Sequence, residues 1–288
     1  MEFTPLTIQQ RDDFERHGFL VVRDALPATT VERLLTVADR LYEEGMRSDG
    51  INERGFWQMR NCLPADDAFL ELVDWPTTVP LVAQLLNHNI QLITSHLVVR
   101  PPIPADSEPT HGRTGWHRDG GTASFDLGTA QPRMFIKVAY WLSDISEPGR
   151  GAIRLLAGSN DTKVPPPEGG PDEHEQFAMR CRPGDAVLFE NRTLHAVGPN
   201  LSELTRKSVF FGYGYRWLRP MDYLSMPEEL LQRCDPIRRQ LLGSCTDVMG
   251  YQLPEADEVP LKEWLQEHTG INVDRRDEIP ALKVAVER

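Results

Sequence analysis

A chain of 288 residues with a formal net charge of −12 can bury a sizeable core, and its acidity argues against a nucleic-acid surface, which needs a positive stripe to displace counterions. No apolar run approaches the ~20 residues of a bilayer span, and Met1–Pro5 lacks a basic-then-apolar leader, so a cytoplasmic protein is expected. The four cysteines, Cys62, Cys181, Cys234 and Cys245, are scattered without a C-x-x-C pair, which favours reduced structural thiols over a zinc knuckle or a redox dithiol.

The opening reads as a helix, with Thr7 and Gln10 spaced as a capping box and Gly18 where a C-terminal cap belongs. Phe19–Val22 follows as a short strand. Thr29 and Glu32 predict the start of a longer helix whose apolar side is Val31, Leu34, Leu35, Val37, Ala38 and Leu41. Two further short helices are expected around Phe69–Val73 and Val79–Leu86. From Ile90 the pattern changes to strands: Ile90–Arg100, Met134–Leu142, Ala152–Leu156, Phe177–Arg182, Asp185–Glu190, Leu194–Val197 and Lys207–Arg216. Gly/Pro turns separate several of them, which points to an antiparallel sandwich or barrel. Residues 103–114, 122–133 and 159–178 read as loops, the last long enough for a lid or a binding loop. Helix returns from about Pro227, with Leu230, Leu231, Ile237, Leu241 and Leu242 as apolar contacts. The whole is expected to be one α+β domain over 1–288. A jelly-roll core at about 90–217 lies between a helical N-terminal part, 1–88, and a helical C-terminal part, about 218–288.

Within this frame Gly115-Trp116-His117-Arg118-Asp119-Gly120-Gly121 is the stretch richest in chemistry. In an extended segment His117 and Asp119 leave the same face and Arg118 points away. An imidazole and a carboxylate so placed make two ligands of a divalent metal, and a further histidine would complete the face that holds non-haem Fe(II) with open positions. Alone, H-x-D fits a surface loop equally well. His195 lies on a late strand, after the tight turn at Gly184-Asp185. On the last strand, alternation puts Arg206 and Ser208 on one face with Phe210 and Gly212. Phe211, Tyr213 and Tyr215 take the other. An arginine facing a barrel interior needs an anionic partner, and its planar fork suits a carboxylate.

His117-Arg118-Asp119, Gly184-Asp185, His195, Gly198-Pro199-Asn200, Ser202 and Arg206 together resemble the phytanoyl-CoA dioxygenase family. The opening Phe14-Glu15-Arg16-His17-Gly18-Phe19-Leu20-Val21-Val22 resembles that family's start, and the likeness runs from about residue 8 to 217. It implies a double-stranded β-helix (jelly-roll, cupin-like) fold and an oxygenase that uses Fe(II), 2-oxoglutarate and O2. The implied reaction hydroxylates, or by the same chemistry desaturates or cyclises, a small molecule, and releases succinate and CO2. His117, Asp119 and His195 would be the iron ligands, and Arg206 would hold the distal carboxylate of 2-oxoglutarate. His96 matches a position lining the cosubstrate pocket. The carboxylate at Asp119 argues against halogenation, for which related enzymes carry a small residue there. Two departures, Ala157-Gly158-Ser159-Asn160 in place of Pro-Gly-Ser-His and a missing tryptophan near Ala139, bear on substrate fit.

Several residues keep two readings. Lys137 points inward to an acidic group or outward to solvent; Ser208 bonds a carboxylate or merely packs; Trp116 and Trp141 contact ligand or fill the core. His111 and the acidic run Asp172-Glu173-His174-Glu175 read as solvated loops. Two rival functions remain: a cupin-type metalloenzyme without a keto-acid cosubstrate, and a non-catalytic jelly-roll binding module. The substrate and the oligomeric state are not legible at this level.

Overall fold

The computed structural model describes residues 1–52, 55–104, 114–120, 127, 131–163, 176–245 and 258–270. In chain order the helices are α1 (Ile8–His17), α2 (Ala28–Ser48), α3 (Asp67–Leu70, running into a 3-10 turn Glu71–Asp74), α4 (Val79–Leu86), α5 (Glu228–Gln232), α6 (Pro236–Leu241) and α7 (Pro260–Thr269). The strands are β1 (Phe19–Val22), β2 (Trp57–Arg60), β3 (Ile90–Arg100), β4 (Thr114–His117), β5 (Phe135–Trp141), β6 (Ile153–Leu156), β7 (Gln176–Ala178), β8 (Ala186–Glu190), β9 (His195–Val197) and β10 (Arg206–Tyr215). They form a six-stranded sheet, β1-β8-β5-β10-β3-β2, and a four-stranded sheet, β4-β9-β6-β7. Neighbouring strands are antiparallel throughout, as a jelly roll requires.

The large sheet is buried on both faces, and alternation sorts its side chains into two cores. One parity, with Leu97, Val99, Ile136, Val138, Tyr140, Val209, Phe211 and Tyr213, packs under a layer of helices. This core takes in Leu34 and Leu41 of α2, Val82 of α4, and Leu230, Leu241 and Leu242 at the C-terminal end. The other parity, with Val98, Ala139, Trp141, Val187, Phe189 and Phe210, meets Ile153, Leu155 and Val197 of the small sheet. That second core is the barrel interior. No helix among the described residues is long and apolar enough to cross a membrane.

The expected caps of α1 are present. Thr7 accepts from the Gln10 backbone, the Gln10 side chain reaches back, and Gly18 closes the helix at φ 82°. The start of α2 differs from the expected Thr29/Glu32 box. The helix begins at Ala28 behind Pro27, and the Pro27 carbonyl accepts from the backbone of both Thr30 and Val31. The preceding Leu26 is bonded to the Gly184 carbonyl at 2.8 Å, so the turn between sheet and helix is fixed upstream of Thr29. The strand expected over Phe177–Arg182 stops at Ala178. Beyond it, Cys181 leaves β6 and its carbonyl accepts from Ile145, while the Arg182 backbone N–H donates to the Asp185 carboxylate at 2.9 Å. β2 was not anticipated at all.

Gly184 takes φ 96°, and a Cβ there would sit 2.6 Å from the Leu26 carbonyl oxygen, which is backbone and cannot swing aside. Gly184→Ala is therefore expected to destabilise by about 2–4 kcal/mol, the left-handed conformation adding to the clash. Urea denaturation monitored by circular dichroism measures it.

Candidate metal centre

β4 and β9 pair so that His117 and His195 are direct register partners. Their rings lie 4.2 Å apart between centroids. β4 ends at His117, and Asp119 follows in a bend whose backbone N–H donates to the Asn191 carbonyl at 3.0 Å. Arg118 points away, as alternation requires, and clamps two neighbouring loops through the carbonyls of Arg192 (2.7 Å) and Ser159 (2.8 Å). Ligand atoms of His117, Asp119 and His195 all fall within 4.8 Å of one another.

Hydrogen bonds around the two rings decide which nitrogen faces inward. His117 Nδ1 lies 2.8 Å from the Gly115 carbonyl and His195 Nδ1 lies 3.0 Å from the Thr193 carbonyl. A carbonyl only accepts, so each Nδ1 carries a proton and Nε2 is the nitrogen left to present a lone pair to a metal. Burial, opposed by Asp119, brings the His195 pKa down to about 4, which keeps the ring neutral near pH 7. Asp119 is held below the usual carboxylate range by the ammonium of Lys137 and by the two imidazoles, against the opposing effect of its burial. Its Oδ2 is 3.7 Å from His195 Nε2 and, although buried, has no hydrogen-bond partner among the described residues. A buried carboxylate oxygen without a partner is anomalous in a finished core. Beside two lone-pair-bearing imidazoles it fits a divalent cation, and the donor set suits non-haem iron.

Below this face lies a second set of unsatisfied groups. Arg206, at the start of β10, is 2% exposed and forms no ion pair with any carboxylate among the described residues. Its Nη1 donates to the Gly151 carbonyl at 2.5 Å and its Nη2 to Ser208 Oγ at 3.3 Å, while among the described residues Nε has no partner. The guanidinium sits 4.8 Å over the Trp141 ring, whose Nε1 is likewise buried without a partner. Burial and the facing Arg100 push the Arg206 pKa well down. The turn that launches β10 is pinned by Asn200, which donates to the carbonyls of Arg100 (3.0 Å) and Leu204 (2.7 Å).

His96 lines the interior from β3, stacked on Phe210 at 5.1 Å, and burial together with the nearby charges of Lys137 and Arg60 holds it neutral. Lys137 points inward: its Nζ is 2.8 Å from Asp119 Oδ1. Trp116 stays outside the interior, 5.7 Å under the Arg154 guanidinium. The departure at Asn160 has a local role, because its side chain donates to the Glu15 carbonyl of α1 at 2.9 Å. Two residues went unnoticed in the sequence. Gln58 and Arg60 are register partners of Val98 and His96, so they share the inner face at the barrel rim. The only signal was a four-residue run, Trp57-Gln58-Met59-Arg60, whose polar alternation is too short to declare a strand. His111, the acidic run 172–175 and most of the three expected loops, 103–114, 122–133 and 159–178, lie outside the described residues. A cavity of about 620 Å³ beyond the end of β10 is lined by Gln91, Arg216, Tyr223 and Glu228 among others. Among the described residues no histidine or aspartate lines it, and it is separate from this site.

A jelly roll carrying two imidazoles and a carboxylate at a common point is the architecture of a mononuclear metal protein with open coordination positions. The chain belongs to the phytanoyl-CoA dioxygenase (PhyH) family, whose model matches residues 14–208. Among curated proteins it is 28% identical to the dioxygenase cdmD of Talaromyces verruculosus over 142 residues, 47% of this chain and 45% of that one. The chain thus spans less than half the length of that relative. It is 22% identical to an ectoine dioxygenase of Nocardia farcinica (strain IFM 10152) over 235 residues, 70% of this chain and 76% of the relative. Among solved structures, HygX from Streptomyces hygroscopicus, with nickel and 2-oxoglutarate bound, superposes with a TM-score of 0.61 at 20% identity. The superposition covers 79% of this chain and 94% of HygX, and it shows the same fold.

Proposed function

We propose that the chain is an Fe(II)- and 2-oxoglutarate-dependent oxygenase acting on a small molecule, with hydroxylation of an unactivated C–H bond as its principal outcome. His117, Asp119 and His195 would hold the iron, and Arg206 with Ser208 would take the distal carboxylate of 2-oxoglutarate. Trp141 and His96 would wall that pocket. Iron so bound, with 2-oxoglutarate and O2, supplies the oxidising power for C–H cleavage, with succinate and CO2 as by-products. The chain's own part is to present two imidazoles and one carboxylate oxygen on one side only. The remaining faces stay open, and the site lies where the barrel interior meets solvent, with His117 exposed and His195 buried.

The observation that carries this reading is the pairing of two deficits: a ligand face with an unpartnered Asp119 Oδ2, and behind it a buried guanidinium with no carboxylate. A cupin-type metalloenzyme without a keto acid accounts for the first and leaves Arg206 unexplained. A binding module accounts for neither. The substrate would enter past the rim at Gln58 and Arg60.

Anaerobic addition of Fe(II) and then 2-oxoglutarate to the purified protein is expected to produce a weak visible charge-transfer band that needs both components. Iron binding with no affinity for 2-oxoglutarate rejects the proposal. A screen of candidate metabolites for O2-dependent succinate release then reads the outcome, since hydroxylation adds one oxygen to the product and desaturation removes two hydrogens.

A further inference from the structure

We infer that Lys137 is a positioning residue for the metal: its ammonium holds Oδ1 of Asp119, so that the carboxylate ligates through Oδ2 alone and occupies one coordination position. The inference rests on the oxygenase reading of the same site and adds to it a residue outside the ligand set.

Lys137 lies in the middle of β5, itself a central strand of the six-stranded sheet, with Gly212 and Phe189 as its register partners. Such a position normally goes to an apolar side chain, and an ammonium there is costly unless it is paired. Its two register partners flank it. On one side is Gly212, where a Cβ would lie 2.6 Å from Thr94 Cγ2 and in ordinary contact, at 3.6 Å, with Lys137 Cγ. On the other is Phe189, which also packs against His195 at 5.0 Å. At the end of the stem, Nζ meets Asp119 Oδ1 at 2.8 Å with only 14% of the side chain exposed.

The two oxygens of Asp119 are thereby made unequal. Oδ1 has a charged donor, whereas Oδ2 is buried with no donor among the described residues and lies 3.7 Å from His195 Nε2. A carboxylate free to bind through both oxygens would take two positions around an octahedral ion. With two imidazoles that leaves too few for a chelating keto acid and a further ligand. The lysine prevents this by competing for Oδ1, and its charge reduces the electron density that the carboxylate passes to the metal. Partners that orient a metal-bound group in this way typically alter affinity or activity by ~10–100-fold when removed.

The test compares the full-length wild type with Lys137→Met and Lys137→Arg, each loaded anaerobically with Fe(II) and titrated with 2-oxoglutarate. Lys137→Met is expected to raise the 2-oxoglutarate Kd about tenfold or more and to move the charge-transfer band to longer wavelength, because the iron becomes more electron-rich. Lys137→Arg, which keeps charge and donors, is expected to restore most of the band position. Should Lys137→Met fail to fold by circular dichroism, Lys137→Gln removes the charge while keeping a donor and is read by the same band shift. A Met or Gln variant whose Kd and band match the wild type overturns the inference and leaves Lys137 as packing. A wild type with no band at all rejects the oxygenase reading instead, so the two failures are distinguishable.

Discussion

His195→Ala is expected to abolish the stabilisation that Ni(II) confers on the protein while leaving a folded chain. Nickel is the convenient probe because it occupies imidazole and carboxylate sites without air oxidation. At about 100 times its Kd, a ligand that binds only the native state adds about 2.7 kcal/mol. For a domain above 150 residues that corresponds to a rise of roughly 5–10 °C in Tm. His195 is one of the three candidate donors, and its ring is fixed both by the Thr193 carbonyl and by its cross-strand neighbour His117. Removing a donor outright should exceed the ~10–100-fold loss seen when only a supporting partner is removed. At the same nickel concentration the variant then shows no measurable rise. The apoprotein loses about 1–3 kcal/mol from the space left beside Phe189. His96→Ala is the control, since it also empties a buried histidine position inside the barrel but leaves the ligand face intact, and it should keep the nickel shift. Equal shifts in wild type and His195→Ala, read by differential scanning fluorimetry, would place the metal elsewhere.

What the sequence disclosed follows from how strongly each segment contrasts its two faces. β10 was legible in part because alternation groups Arg206 with Ser208, Phe210 and Gly212, and that face is buried, with Arg206 2% exposed and Phe210 in the barrel core. The site was legible in part for a related reason. A short H-x-D unit fixes the mutual placement of two groups, and the resemblance supplied the distant histidine that no local pattern could. β5 was opaque. Both its faces are buried, one under helices and one in the barrel, so Phe135-Ile136-Lys137-Val138-Ala139-Tyr140-Trp141 shows no polar–apolar alternation to orient Lys137. The start of α2 was misread because Thr29 and Glu32 satisfy a local rule, whereas the contact that sets the turn, Leu26 to Gly184, joins residues far apart in sequence. β2 escaped notice because four residues are too few for a period to declare itself. It is nevertheless the strand that sets Gln58 and Arg60 at the rim.

For Arg206 the two halves of the proposal predict opposite signs in two measurements. In the apoprotein its guanidinium is buried opposite Arg100 and, among the described residues, bonded only to a carbonyl and a hydroxyl, with Nε unsatisfied. Replacing a poorly compensated buried charge with an apolar side chain of similar volume is often neutral or stabilising, by about 1–4 kcal/mol. Arg206→Met is thus expected to leave the urea stability of the apoprotein unchanged or higher. The same substitution removes the cation that would pair with the distal carboxylate. Truncating one partner of a buried charge pair costs about 2–5 kcal/mol of binding, so the 2-oxoglutarate Kd should rise by a factor of roughly 30 to several thousand. Iron or nickel affinity should change far less, because the candidate ligands His117, Asp119 and His195 lie on β4, just after it and on β9, not on β10. A stabilised apoprotein with weakened cosubstrate binding is the signature of a residue kept for function at some expense in stability. An Arg206→Met protein that unfolds more easily and binds 2-oxoglutarate as the wild type does would make the arginine structural, and the keto acid would lose its anchor.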